Sequence, residues 1–172
     1  MRVQKIALLG ILTAMTIVIA VLESFIPSIG IPGVKLGLAN IMILVILYEL
    51  GVVDAIIVDL LRVVAVGLIR GTILSMGFFM SLAGATMSLC IMILFHLLIK
   101  KFSIIGVSVI GSLFHVTGQV LVAMLYLGTA YILYYLPIIA ISAIITGVLV
   151  GITAKLVINT GVIRKQREKY KF

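Results

Sequence analysis

The side chains able to do chemistry are few, and most sit in an unusual setting. Asp54, Asp59, Arg62 and Arg70 follow the pattern D-x4-D-x2-R-x7-R inside otherwise apolar sequence. On a helix, Asp59 and Arg62 share a face and can neutralise each other. Arg70 and Lys35 lack such a neighbour and suit an anionic ligand, since an arginine fork matches carboxylate or phosphate bidentately. Asn40, Gln119, Tyr126, Tyr131, Tyr134 and Tyr135 add the polar and aromatic groups that line small-molecule sites. Tyrosines placed like these also form interfacial belts. The expected ligand-binding residues are Lys35, Asn40, Arg62 and Arg70, with Tyr131 and Tyr135 as walls. His115 is expected to make a hydrogen bond between helices.

The same inventory excludes several chemistries. There is no Walker A sequence, so the chain is not itself a P-loop ATP motor, and no HExxH, CxxC or GxSxG motif is present. The whole sequence holds 5 Asp and Glu together, too few for a polymetal centre, and no DDxxD-like cluster for Mg²⁺-held diphosphate. No haem or iron–sulfur ligand set is visible. Catalysis by this chain is not expected, nor is a bound metal or cofactor. Cys90 is the single cysteine, which rules out an intrachain disulfide; it is expected to be a small buried hydrophobe.

Composition supplies the setting. The chain is 64% hydrophobic and 10% charged, with mean hydropathy +1.43. Soluble domains are about 45–50% apolar and about 25% charged. In lipid, apolar side chains can face outward, and charges inside a membrane are costly and often functional. The sequence therefore predicts an all-α, polytopic six-transmembrane-helix bundle forming a single integral membrane domain. The expected helices cover about residues 5–22, 36–50, 52–69, 72–98, 103–127 and 131–158, followed by a basic cytoplasmic tail at 159–172. The second is short for a full span and would tilt or thin the bilayer. Pro27, Gly30, Pro32 and Gly33 mark a structured first loop, and Pro137 predicts a kink in the sixth helix. The first segment reads as an uncleaved membrane helix rather than a signal peptide, because its apolar run is long and no A-x-A site follows.

The formal charge of +8 resides mostly at segment ends and in the tail. That distribution points to orientation in a membrane, with both termini cytoplasmic, and away from nucleic acid. Small residues recur at packing intervals, at Gly10/Ala14, Gly67/Gly71, Ser81/Ala85, Gly84/Ser88 and Gly147/Gly151.

The segment Ile31-Pro32-Gly33-Val34-Lys35-Leu36-Gly37-Leu38-Ala39-Asn40 is the most distinctive. With Asp59-Leu60-Leu61-Arg62-Val63 and the glycine-rich opening of the fourth helix, it resembles the Gx transporter family. Its members often carry the name heptaprenyl diphosphate synthase component I. That family is similar to the S components of energy-coupling factor (ECF) vitamin transporters. The resemblance implies a multi-pass protein of a prokaryotic cell membrane that takes up a small vitamin-like, anionic or aromatic solute. It implies a lid-like first loop and docking through the first helix, here Ala7, Gly10 and Ala14, onto a transmembrane coupling subunit with ATPase subunits. The alternative it leaves open is a non-catalytic membrane partner in prenyl diphosphate and quinone metabolism or in flavin-linked extracellular electron transfer.

Overall fold

The computed structural model describes residues 2–25, 35, 37–98 and 102–170. The proline-rich part of the first loop, Leu36 and the Lys100-Lys101 pair lie outside the described residues. All regular elements among the described residues are helical: α1 (Arg2–Glu23), α2 (Asn40–Glu49), α3 (Val52–Ile69), α4 (Met76–Leu98), α5 (Ile104–Leu127), a 3-10 turn (Ala130–Tyr135), α6 (Leu136–Asn159) and α7 (Val162–Tyr170).

Four stretches, Val3–Glu23, Met76–Leu98, Ile104–Leu127 and Ala130–Asn159, are long and apolar enough to cross a membrane. The protein is therefore a membrane protein, but four long apolar helices, not the expected six, are what the described residues show. At 10 residues, α2 is about 15 Å long, half of a hydrocarbon core of about 30 Å. It carries apolar groups all round because it is enclosed all round: Ile43 to Leu47 have essentially no exposure, with α3 and α6 against it. The 18-residue α3 falls outside the apolar set because it holds Asp54, Asp59 and Arg62.

Those three charges also show which solvent the fold is built for. Asp54, Asp59 and Arg62 are buried, whereas Ile57, Leu61 and Leu68 of the same helix are exposed. A soluble amphipathic helix does the reverse. An inside-out helix is stable when its outer face meets lipid and its charges meet one another.

Close helix contacts come from small residues. A Cβ at Gly147 or Gly151 would stand 2.8 or 2.7 Å from the Cα of Val109 or Ile105, so α6 lies directly on the α5 backbone. Gly84 serves α4 in the same way against His115 and Gln119. Gly10 differs, since a Cβ there would meet nothing within 4 Å, and Ala7 and Ala14 on α1 are also exposed.

Two local expectations are corrected. Pro137 falls in the first turn of α6, where proline's missing N–H is harmless, so it starts that helix instead of kinking it. Cys90 is exposed on the outer side of α4. The tail is helical at α7, which buries Ile163 while Arg167 Nη1 donates to the Glu49 carbonyl at the end of α2, 3.0 Å away. That contact and the Lys5–Asp54 ion pair at 2.8 Å mark one end of the bundle, which holds the start of α1 and α7.

Candidate functional site

At the other end, the short α2 leaves room within the bundle, and the segment leading into it descends there. Gly37 turns this segment with φ +84°, a conformation that favours glycine; Asn40 and His115 crowd the place of a Cβ. The main chain of the segment is held by side chains from distant helices. Glu23, at the end of α1, accepts hydrogen bonds from the Gly37 and Ala39 N–H groups. The Lys35 N–H donates to Gln119 Oε1 at 3.1 Å, and Lys35 Nζ to Ser81 Oγ at 3.0 Å.

Below it, polar side chains form a chain through the apolar interior. Arg62 Nη2 pairs with Asp59 Oδ1 at 2.5 Å, and Arg62 Nη1 donates to Asn40 Oδ1 at 3.4 Å. Asn40 Nδ2 donates to Ser88 Oγ at 3.2 Å. His115 Nε2 lies 3.0 Å from Gln119 Nε2 within α5, and the ring also hydrogen-bonds the backbone of Gly84 on α4, the expected bond between helices.

Between these groups lies a cavity of about 110 Å³ whose lining includes Glu23, Lys35, Arg62, Arg70, Phe78 and His115. Arg62 is paired with Asp59, so Lys35 and Arg70 outnumber Glu23 and leave the cavity net positive. No ion pair to Arg70 is present among the described residues. Burial pushes the Lys35 ammonium below the usual lysine range of 10.5; Glu23 opposes that shift, and Arg62 and Arg70 reinforce it. Among the described residues, no three or more His, Cys, Asp or Glu side chains are grouped to hold a metal ion.

Of the residues singled out from sequence, Lys35, Arg62 and Arg70 meet at this cavity, and Asn40 supports it through Arg62. Tyr131 and Tyr135 do not line it. The 3-10 turn carrying them buries Ile132 instead, leaving Tyr131 77% exposed and stacked on Tyr134. Phe78 supplies the aromatic wall, and Gly67 makes room for its ring. Glu23 and Ser81 are the participants that sequence reasoning missed, and His115, singled out for a bond between helices, also lines the cavity. A lone acid ending an apolar helix was the available signal for Glu23.

Glu23→Ala should leave the Gly37 and Ala39 N–H groups unpaired and cost about 1–3 kcal/mol for each one buried. Glu23→Gln keeps an acceptor and should be milder, while tightening anion binding by removing the opposing charge. Unfolding titrations and anion binding on the two variants check both statements.

No curated protein and no solved structure matches the chain. The family model of heptaprenyl diphosphate synthase component I matches residues 12–157. Most of the chain lies within that match, cavity and buried charges included, and the protein belongs to the heptaprenyl diphosphate synthase component I family.

Proposed function

We propose that this chain is a membrane-embedded solute-binding subunit, similar to an ECF S component, that takes a small anionic solute into the cavity at Lys35, Arg62 and Arg70. The observation that carries this reading is the net positive, part-apolar cavity enclosed by lipid-facing helices. Cations placed there without full compensation are expensive unless an anion repays them. The half-length α2 fits the same picture, because its N-terminal, partially positive end lies beside the cavity. The chain acts without catalysis, as a single integral domain in a prokaryotic cell membrane. Counting α2 and α3 as membrane-crossing gives six segments and puts both termini on one side. The basic groups at that end, with Lys5 on α1 and Arg164, Lys165 and Arg167 on α7, support a cytoplasmic location.

The test is binding of small carboxylates and phosphates to the protein in nanodiscs. Alanine at both Lys35 and Arg70 should weaken affinity about tenfold or more, as loss of charge-assisted contacts does, without unfolding the bundle. Unchanged affinity would sink the assignment. pH gives a second handle with a defined sign. The Lys35 pKa lies below 10.5 in the folded protein, so its charge is lost at lower pH than in the unfolded chain. The folding cost of that charge is complete below the folded pKa and disappears as pH rises towards 10.5. Stability should therefore rise across this alkaline window while anion affinity falls.

The exposed stripe of Ala7, Gly10 and Ala14 on α1 suits docking onto a coupling subunit with its ATPases. Gly10→Leu should then abolish co-purification with them and leave solute binding intact. The family description favours a second reading, a non-catalytic membrane partner of a prenyl diphosphate synthase. A diphosphate is also an anion, so the readings separate by partner: co-purification of a soluble prenyl synthase, independent of ATP, would favour this one.

A further inference from the structure

Five cations and one acid fall between Lys155, near the end of α6, and Lys169 in α7. Lys155 is exposed, and so are the apolar side chains beside it, Ile152 and Leu156, which face lipid. A lysine among lipid-facing side chains extends its ammonium to the headgroup layer. Lys155 lies about one turn before Asn159, where α6 ends, so that layer meets the last turn of α6 and the chain just beyond it. α7 begins after two residues and does not continue along the α6 axis, because Gly161, at φ +63°, turns the chain. Ile163 joins the apolar cluster that encloses α2, and Arg167 reaches the Glu49 carbonyl. α7 is therefore folded across the end of the bundle, at the level of the headgroups.

The part of α7 turned away from the bundle carries Val162, Arg164 and Lys165, all exposed. Val162 stands three residues before Lys165, so an apolar group and an ammonium share one side of the helix. Arg164 holds Glu168 at 3.1 Å, an exposed pair that water and salt screen, and its other N–H groups stay open to a second anion. We propose that Lys155, Arg164 and Lys165 form a docking surface for anionic phospholipid headgroups, with Val162 against the acyl boundary. Basic residues clustered immediately beyond a membrane helix attract anionic lipid. An exposed apolar side chain among them has a use at the lipid boundary that it lacks on an acidic protein or a nucleic acid. The three cations need not meet on one headgroup, since a leaflet presents many. Ile163 and Arg167 remain engaged with the bundle, so lipid binds without releasing α7. This inference is independent of the solute cavity, whose cations Lys35 and Arg70 stand at the other end of the bundle.

The test uses the full chain in neutral detergent, titrated with phosphatidylglycerol or phosphatidylcholine of the same acyl chains, and native mass spectrometry counts the bound lipids. Phosphatidylglycerol should be retained about tenfold more tightly, and about 1 M salt should erase the difference by screening. Combining Lys155→Gln, Arg164→Gln and Lys165→Gln should bring the two lipids within about twofold of each other. Lys155→Arg with Lys165→Arg keeps the charges and should preserve the preference. Lys35→Ala with Arg70→Ala should preserve it too, which separates headgroups at α7 from headgroups in the cavity. A second measurement needs no variant: in nanodiscs, hydrogen exchange of the α7 amides should be slower with phosphatidylglycerol than with phosphatidylcholine alone. Equal retention of the two lipids by the unaltered chain overturns the proposal. So does a preference that survives the triple substitution, one that vanishes with the cavity substitutions, or α7 exchange that ignores phosphatidylglycerol. An acidic protein that binds α7 and that phosphatidylglycerol fails to displace would also overturn it, assigning the surface to that partner.

Discussion

Asp59→Asn is expected to cost about 3–5 kcal/mol of stability, the usual penalty for leaving one member of a buried ion pair uncompensated. Asp59 and Arg62 are 2% and 5% exposed and in direct contact, and the remaining hydrogen bond of Arg62, to Asn40, is a long 3.4 Å. Removing both charges with Asp59→Leu and Arg62→Met should come within about 2 kcal/mol of the starting stability, since a buried pair is often replaceable by apolar side chains. That double variant should nonetheless lose anion binding, because Arg62 lines the cavity. Denaturant titration in detergent together with binding in nanodiscs separates the two roles. A stable Asp59→Asn protein would mean that Arg62 has a partner other than this carboxylate.

The second large effect lies between α5 and α6. Gly147→Val and Gly151→Val each place a side chain where backbone atoms of α5 already stand, at 2.8 and 2.7 Å. Helices cannot yield there as a flexible side chain would, so each should cost about 3 kcal/mol through overpacking. Together they should prevent recovery of folded protein. Gly10→Val on α1 is the matched control, with open space around its Cβ and an expected change within about 0.5 kcal/mol. The comparison is read from unfolding midpoints of the three variants.

Much of the cation set was legible in the sequence because it depends on local spacing. Asp59 and Arg62 are an i,i+3 pair, and such pairs meet on any helix. Charges inside apolar sequence announced α3 as the helix with a polar inner face. Helix ends were legible where a glycine or a cap stands, as at Ser103, whose side chain accepts from the Gly106 N–H at the start of α5. The start of α2 was not, because the residues before it are as apolar as the helix itself. Where an apolar segment begins to wind depends there on Glu23 and Gln119 holding the incoming main chain, and both are remote in sequence. Tyr131 and Tyr135 misled for a related reason: the 3-10 turn chose Ile132 for the interior, a choice of register that composition does not encode. The convergence of Glu23 and His115 with Lys35 is wholly tertiary. Pro137 misled in a similar way: read as a kink inside the sixth helix, it starts α6, because the 3-10 turn before it occupies residues 130–135.

Native mass spectrometry of the protein released from nanodiscs tests the central claim most directly. The account predicts a retained small anionic molecule on the unaltered chain, displaced by excess competing anion and absent after alanine substitution at both Lys35 and Arg70. A bound small molecule that survives that substitution, or one that carries no anionic group, would contradict it.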